Sequence, residues 1–257
     1  MISFRKYFTH DSFKRLFKLV FIAALFHLCT ANSATSLNRT RVIISGQERE
    51  ASLQVLNEGK RPILIQNWVD YDILQAQVER INLPFVVDPP MVRIEPGQSR
   101  QLRILIVKPI QFLDKKTESL FWLNILEIPP KLDGNTSKNH IQIGFRTRVK
   151  IFVRPEKVAK LVPSDFDDLS FDVVKGEGDY FYFEIKNPAP IHRSFNYVNL
   201  VSPEDRIVKI PVDIVRPFER KRIPIEYNGN IKQADGWKVV FSAIDDFGVG
   251  HEKEERI

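Results

Sequence analysis

The stretch "IQIGFRTRVKIFVRP", residues Ile141 to Pro155, predicts one long β-strand with two chemically different faces. Alternate positions from Ile141 to Val153 are apolar or threonine, whereas most positions between them carry glutamine, arginine or lysine. This period of two is typical of a strand, because successive side chains point to opposite sides of a sheet. The predicted strand is about twice as long as a typical strand, and cations are dense near its end. Its length and its basic face both require an explanation.

The rest of the chain reads as short alternating segments separated by turn residues, without a long helical period after Thr35. Asn57-Glu58-Gly59-Lys60 and Glu95-Pro96-Gly97-Gln98 are two of the turns. A series of this kind predicts an antiparallel β-sandwich of immunoglobulin type, and a second series after Pro155 predicts another. The predicted strands are 41–45, 52–56, 62–71, 85–87, 91–94, 100–107, 120–128 and 141–153, then 169–174, 180–186, 193–201, 207–215, 221–227 and 237–244. The charged tail, 251–257, is expected to fray.

Residues 1–34 have the pattern of a secretory signal peptide. Five Lys and Arg residues precede an apolar run at 19–28, and small residues follow it. The run is shorter than the about 20 residues that a membrane-spanning helix needs. We therefore expect cleavage after Ala34 or Ala31 and export of the remaining chain.

Charge and cysteine content exclude several classes of protein. The full chain carries a formal charge of +6, but without residues 1–34 it has 33 Lys and Arg against 31 Asp and Glu. A charge of about +2 does not imply a nucleic-acid partner, which needs a clear basic excess. Cys29, the one cysteine, lies in the signal peptide, so the exported chain can form neither a disulfide nor a thiolate metal site.

Six motifs occur in order over essentially the whole exported chain. They are SLNRTRVIISG (36–46), ESLFWLNILEIPP (118–130), VKIFVRP (149–155), VDPPMVRIEPGQ, KNPAPIH and AIDDFG. These motifs resemble those of the periplasmic chaperones of pilus assembly by the chaperone-usher pathway, the PapD-like family. The resemblance implies an all-β protein of two immunoglobulin-like β-sandwich domains, arranged as a boomerang with an interdomain cleft. It places the domains at 35–154 and 155–257, and it implies no enzymatic activity, no cofactor and no metal.

The family function implies a use for the long strand. A chaperone of this family acts in the periplasm, where it lends a strand to a pilin subunit whose own sandwich lacks one. It then passes the subunit to an usher in the outer membrane. Strand addition of this kind uses backbone hydrogen bonds for affinity and alternate side chains for specificity. Ile141, Ile143 and Phe145 would be the side chains offered to the subunit. Without the resemblance, packing in the protein's own core would be the better interpretation of these three residues.

The resemblance maps the two cations that hold the subunit's C-terminal carboxylate onto Arg41 and Lys150. Arginine offers a planar fork to a carboxylate and lysine a compact charge, so the chemistry fits. Arg39, two positions earlier on the same side of the strand, is the closest competitor. On an ideal strand Lys150 points away from the side of Ile143, so a twist or bulge is required if both address one partner.

A third group implied by the resemblance is an interdomain ion group of Glu118, Arg154 and Asp246, which would set the angle between the domains. As an exposed group it would orient the domains and stabilise them only modestly. Phe121, Trp68, Trp122 and Trp237 are expected in the core rather than as ligand platforms.

Two other classes of protein remain as alternatives. An enzyme is disfavoured because no nucleophile, zinc or phosphate-loop motif occurs and His140, His192 and His251 are scattered. A secreted two-domain adhesin or carbohydrate-binding module would fit the fold but gives no role to Arg41 and Lys150. The free protein is expected to cover Ile141, Ile143 and Phe145, by folding back of the 132–139 loop or by self-association, because an exposed apolar edge promotes aggregation.

Overall fold

The computed structural model describes residues 35–71, 83–107, 116–128, 143–160, 166–176, 180–225 and 236–257. Within these ranges the chain consists of β-strands and one short helix, as the alternating pattern predicts. The predicted signal peptide and Ile141 of the predicted donor strand lie outside the described residues.

The first domain is a sandwich of two sheets. One sheet has the strand order β1-β3-β7-β5, and the other has the order β2-β9-β8-β4-β6. All pairs are antiparallel except β2 and β9, which run parallel. The strands are β1 Thr35–Leu37, β2 Arg41–Ser45, β3 Glu50–Asn57, β4 Ile63–Asp70, β5 Phe85–Asp88, β6 Met91–Ile94, β7 Ser99–Ile106, β8 Ser119–Ile128 and β9 Arg146–Arg154.

The second domain is also a two-sheet sandwich and follows a single-turn helix. Its sheets have the orders β10-β11-β15 and β13-β12-β16-β17, with β14 paired to β12. A bulge in β12 between Phe195 and Tyr197 shifts its register against β16. The elements are α1 Glu156–Ala159, β10 Ser170–Lys175, β11 Phe181–Lys186, β12 Arg193–Val201, β13 Ile207–Lys209, β14 Ile214–Val215, β15 Arg220–Ile225, β16 Lys238–Ile244 and β17 Gly250–Arg256.

Each sandwich encloses its own apolar core, which the alternating side chains of its strands supply. In the first domain Val149, Ile151 and Val153 of β9 pack in the core with Phe121 and Leu123 of β8. In the second domain Trp237 packs with Phe241 and Phe183. Burial of alternate apolar residues on facing sheets is the main source of stability in a sandwich of this kind.

Two predicted strands differ markedly from the observed ones, and one short observed strand was not predicted. The predicted strand 141–153 begins only at Arg146, although the Phe145 carbonyl still accepts a hydrogen bond from the Glu127 amide at 2.9 Å. The predicted strand 207–215 divides into β13 and β14, because the Val212 amide donates to the Ile210 carbonyl in a local turn, although Ile210 and Asp213 still bond to β12. Strand β1 was not predicted, since three residues are too few for a periodic signal.

The expectation of a frayed tail is wrong. Residues Gly250 to Arg256 form β17, which pairs with β16 over its whole length. Its side chains are mostly charged because it lies at the end of the observed strand order, where a polar edge protects a sheet from pairing with other chains.

Candidate functional site: the β9 edge and the interdomain cleft

The outer part of β9 is paired on one side only. Strand β8 pairs with β9 from Arg146 to Val153, whereas β2 pairs with it only from Lys150 to Arg154. Within the described part of the chain, the segment before Lys150 therefore has no strand along its other edge. An edge of this kind leaves backbone donors and acceptors available to another strand.

Two of the three predicted donor residues are exposed on this segment. The exposed fractions are 66% for Ile143 and 64% for Phe145. Phe145 continues the odd-numbered series of Val149 and Ile151, which are buried in the core of the first domain. One apolar face therefore runs from the protein's own core to a surface without a cover among the described residues. The 132–139 loop that was expected to cover it lies outside these residues.

Arg41 and Lys150 lie side by side on neighbouring strands. They are register partners in the parallel β2–β9 pair, so their side chains leave the sheet on the same face. Val42 and Ile151, the next residues of the two strands, are buried in the core of the first domain. Arg41 and Lys150 therefore lie on the opposite face of the sheet. Arg39 precedes β2, is exposed, and has no register partner on β9. The sheet thus brings together Arg41 and Lys150, the two cations that the family resemblance implies.

The guanidinium of Arg41 is buried at the junction with the second domain. Its Nη1 lies 3.5 Å from the carbonyl oxygen of Ile244, and its Nε has no hydrogen-bond acceptor among the described residues. No carboxylate of these residues lies within 4 Å of it. Burial lowers the pKa of Arg41 below its ordinary value, and the nearby charges of Asp246, Asp245 and Glu118 oppose this effect. A buried guanidinium with an unsatisfied donor is a favourable site for an added carboxylate.

Lys150 lies between Trp122 of the first domain and Asp213 of the second. Its Nζ is 5.6 Å from the centre of the Trp122 ring and 3.5 Å from Oδ2 of Asp213, a residue of the second domain. The contact with Asp213 is long for an ion pair, and the carboxylate is largely exposed. Lys150 thus contacts both domains.

Glu118 and Arg154 are buried at the domain junction, so the expectation of an exposed group is wrong for these two residues, whereas 40% of the Asp246 side chain is exposed. Only 1% of the Glu118 side chain and 5% of the Arg154 side chain are exposed. Arg154 Nε donates to Glu118 Oε2 at 2.8 Å, and its terminal nitrogens donate to both carboxylate oxygens of Asp246 at 2.7 and 3.0 Å. Burial opposes the charge of Arg154, but its bonds and charge contacts with Asp246 and Glu118 outweigh this and raise its pKa.

His192 is a fourth member of this group, which sequence reasoning missed. Its backbone N–H donates to Glu118 Oε1 at 2.9 Å, and its ring Nδ1 lies 2.9 Å from the same oxygen. The side chain of Asn187 fixes the preceding turn by donating to the carbonyl of Ile191 and accepting from the amide of Ala189. The position of His192, two residues after the Asn-Pro-Ala-Pro turn, was the available signal.

A tight turn between β16 and β17 places Asp246. Asp245 Oδ1 accepts the backbone N–H groups of Phe247 and Val249 at 2.9 and 2.8 Å. Gly248 has a φ of +88°, and a Cβ there would lie 2.5 Å from Oγ1 of Thr40. Only glycine therefore fits this approach of the turn to the first domain.

The basic face of β9 rests on two tryptophans, so the expectation of Trp68 and Trp122 as core residues is wrong. The guanidinium of Arg146 lies 5.1 Å from the Trp68 ring centre, and that of Arg148 lies 4.4 Å from the Trp122 ring centre. Both guanidinium groups also donate to Asp70, at 2.9 and 3.1 Å. We call this set, Trp68, Asp70, Trp122, Arg146 and Arg148, the tryptophan platform.

No bulge interrupts the β8–β9 ladder between Arg146 and Val153. Phe145 therefore belongs to the core-side face of β9, and Lys150 to the opposite face. A strand added along the free edge of β9 lies in the plane of the sheet. It can therefore contact Phe145 on one face and Lys150 on the other without a distortion of β9.

Neither a metal-binding group nor a membrane-spanning helix occurs in the described residues. They contain no group of three His, Cys, Asp or Glu side chains that could hold a metal ion. None of their helices is long and apolar enough to cross a membrane.

The fold and this site define a two-domain immunoglobulin-like protein that presents a sheet edge and two cations at its domain junction. Residues 34–159 match the PapD N-terminal domain of pili and flagellar-assembly chaperones, and residues 166–255 match the C-terminal domain of the pili assembly chaperone PapD. The probable fimbrial chaperone YadV of Escherichia coli K12 is 31% identical over 242 residues, which cover 91% of this chain and 96% of the relative.

Two solved chaperone structures are similar to this chain over most of its length. The crystal structure of the YadV chaperone has a TM-score of 0.68 and 27% identity, and covers 88% of this chain and 100% of its own. The Pseudomonas aeruginosa CupB2 chaperone has a TM-score of 0.67 and 28% identity, and covers 86% of this chain and 100% of its own. The chain belongs to the PapD-like family of fimbrial chaperones.

Proposed function

We propose that this chain is a periplasmic chaperone that binds pilin subunits by strand addition and delivers them to an outer-membrane usher. The observation that carries the proposal is the edge of β9 before Lys150, which has no strand beside it among the described residues, together with exposed Ile143 and Phe145 just before the strand begins. Family membership implies the periplasm, and cleavage of residues 1–34 as a signal peptide is part of the proposal.

The exposed end of β9 supplies the lent strand. A subunit that lacks one strand exposes an apolar groove with unpaired backbone groups on each side. The segment from Ile141 onward would hydrogen-bond to both sides of that groove, while Ile141, Ile143 and Phe145 fill it. Because the same apolar face continues into the chaperone's own core, the strand is held in the chaperone at one end and available at the other.

Arg41 and Lys150 fix the register of the added strand. The subunit's C-terminal carboxylate would bind the Arg41 guanidinium, whose Nε has no acceptor, and the Lys150 ammonium beside it. A slip of one residue would turn every side chain of the added strand to the wrong face. A fixed charge contact at its end therefore determines which side chains meet Ile143 and Phe145.

Periplasmic co-expression with the pilin encoded nearest to this chain tests the proposal. Wild type should yield an equimolar complex, whereas Ile143→Asp and Lys150→Ala should lose most of the subunit and remain folded. Ile143→Asp places a charge in the apolar groove, and Lys150→Ala removes half of the anchor.

Matched variants control for changes at the surface alone. Ile207 is 63% exposed on a strand of the second domain, so Ile207→Asp is the counterpart of Ile143→Asp. Lys238 pairs with Glu254 at 3.3 Å, so Lys238→Ala is the counterpart of Lys150→Ala. Both should retain the subunit. Equal recovery with all four variants would contradict the site, and binding of a glycan without a pilin would favour the adhesin or carbohydrate-binding module.

A further inference from the structure

Asp213 faces the anchoring lysine from the opposite domain. Its Oδ2 lies 3.5 Å from Lys150 Nζ, and 70% of its side chain is exposed against 15% for Lys150. Its backbone is fixed, because its carbonyl accepts the Phe195 amide at 2.9 Å. The described residues provide no other hydrogen bond to the Asp213 carboxylate. A carboxylate on a fixed backbone thus contacts Lys150 through one long, solvated interaction.

The two anchoring cations differ in this respect. No carboxylate of the described residues lies within 4 Å of Arg41, whereas Lys150 has Asp213 within that distance. The Asp213 carboxylate is largely exposed and its contact with Lys150 is long, so the pair is weak and an incoming carboxylate can displace it. Lysine also suits exchange between partners, because its ammonium is a single point charge without the two-pronged geometry of arginine.

We propose that Asp213 acts as an exchangeable carboxylate that holds Lys150 in the free chaperone and competes with the subunit's terminal carboxylate. The inference rests on the proposed function, and it assigns to the same site a residue that limits its affinity. Two carboxylates beside one ammonium repel each other, so Asp213 has to move when the subunit binds. It favours release of the subunit in the same way, because it can pair with Lys150 again.

The surroundings of Asp213 provide room for this movement. An open pocket of about 660 Å³ adjoins it, lined by the β12 segment from Asn196 to Asn199 and by the segment from Lys209 to Asp213. Lys209 also lines this pocket and supplies a second cation there. The displaced carboxylate can turn into this pocket while its backbone remains bonded to Phe195.

The test measures binding of a synthetic peptide with the C-terminal strand sequence of the pilin encoded nearest to this chain. The peptide is used with a free C-terminal carboxylate and as the C-terminal amide, against wild type and Asp213→Asn. We expect Asp213→Asn to bind the free-acid peptide about two- to tenfold more tightly, because a competing charge is removed. Affinity for the amide should not change.

Two further variants make the result specific. Asp167 is an exposed aspartate that pairs with Lys253, so Asp167→Asn is a matched loss of one charge in the second domain and should have no effect. In a Lys150→Met background, Asp213→Asn should no longer raise the affinity, because its target is absent. Unchanged or weakened binding of the free-acid peptide to Asp213→Asn would overturn the inference.

The outcomes separate the inference from the function on which it rests. If wild type does not distinguish the free-acid peptide from the amide, the carboxylate anchor itself is wrong. If wild type prefers the free acid and Asp213→Asn leaves that preference unchanged, the anchor stands and only the role of Asp213 is wrong.

Discussion

The two ends of β9 follow one alternating pattern but differ in what surrounds them. From Lys150 to Arg154 the strand lies between β2 and β8, and its odd-numbered side chains fill the core. Before Lys150 its partner among the described residues is β8, and Ile143 and Phe145, which directly precede the strand, are exposed. We call these parts the inner end and the outer end of β9.

The difference between the ends shows that alternation reports the faces of a strand and not what covers them. The inner end is buried because a short parallel strand and a second domain lie against it. The outer end has the same residue types without those neighbours. Stability should therefore depend on the inner end and subunit binding on the outer end.

The largest expected effect is at the ion group of the inner end. Glu118→Ala removes one partner of a buried pair and leaves Arg154 without half of its carboxylate contacts, which should destabilise the free protein by about 3–5 kcal/mol. The free energy of unfolding in urea measures this loss. Glu118→Gln, which keeps the size of the side chain, provides a second reading if the alanine variant does not fold.

A surface pair is the control for Glu118. Glu50 forms an exposed pair with Arg103, and Glu50→Ala should cause a much smaller change than Glu118→Ala. If both substitutions have the same effect, the buried ion group does not hold the inner end, and its role is limited to orienting the domains.

The second effect compares two isoleucines of one face. Ile151 is fully buried, so Ile151→Ala should destabilise the free protein by about 2–4 kcal/mol through lost contacts and a cavity. Ile143→Ala should change the unfolding free energy by less than about 0.5 kcal/mol, because the side chain is exposed. Subunit binding should respond in the opposite order among the folded variants. A large loss of stability in Ile143→Ala would mean that the outer end is covered in the free protein.

Most of the fold was predictable from the sequence. Period-two alternation gave the strands of both sandwiches, and β2, β6 and β12 have the predicted bounds. Two failures show the limits of alternation as a signal. β17 looked frayed because a charged edge strand lacks apolar alternation, and β9 looked longer than it is because alternation does not depend on pairing.

The site was predictable in part. The neighbouring positions of Arg41 and Lys150 were implied by the family resemblance, and strand register accounts for them. The tryptophan platform was missed, although Trp122 occupies the even position of β8 between buried Phe121 and Leu123. The contact of Asp213 with Lys150 was not predictable, because it depends on how the two domains meet.

The third effect concerns the tryptophan platform beneath the outer end. If Trp122 holds Arg148 by a cation–π contact, Trp122→Leu and Arg148→Met should show a coupling of about 0.5–1 kcal/mol in a double-mutant cycle of unfolding free energies. Trp122→Leu combined with Lys253→Met, on β17 of the second domain, should show none. Absence of coupling in the first pair would mean that the Trp122 ring does not position Arg148.

The smallest effect is a pH dependence at the turn that meets the inner end. Burial raises the pKa of Asp245, but hydrogen bonds from His251 and from the amides of Val249 and Phe247 outweigh it, so the pKa is lowered from 3.8. A carboxyl whose pKa is lowered by folding stabilises the protein above its unfolded value, and this contribution is lost as the pH falls through the folded value.

Unfolding free energies of wild type and Asp245→Asn, measured from about pH 6 down to about pH 2.5, test this assignment. The variant should be less stable than wild type near pH 6. The difference in unfolding free energy should begin to shrink near the unfolded pKa of about 4, and it should shrink further as the pH falls through the lower folded value. Asp172→Asn is the control, because Asp172 is exposed on β10 and bonds only to the adjacent Val173 amide among the described residues. A difference that persists unchanged at low pH would mean that Asp245 acts through the shape of the turn and not through its charge. The inner end would then keep its contact with the second domain in acid, and the contrast between the two ends of β9 would not depend on pH.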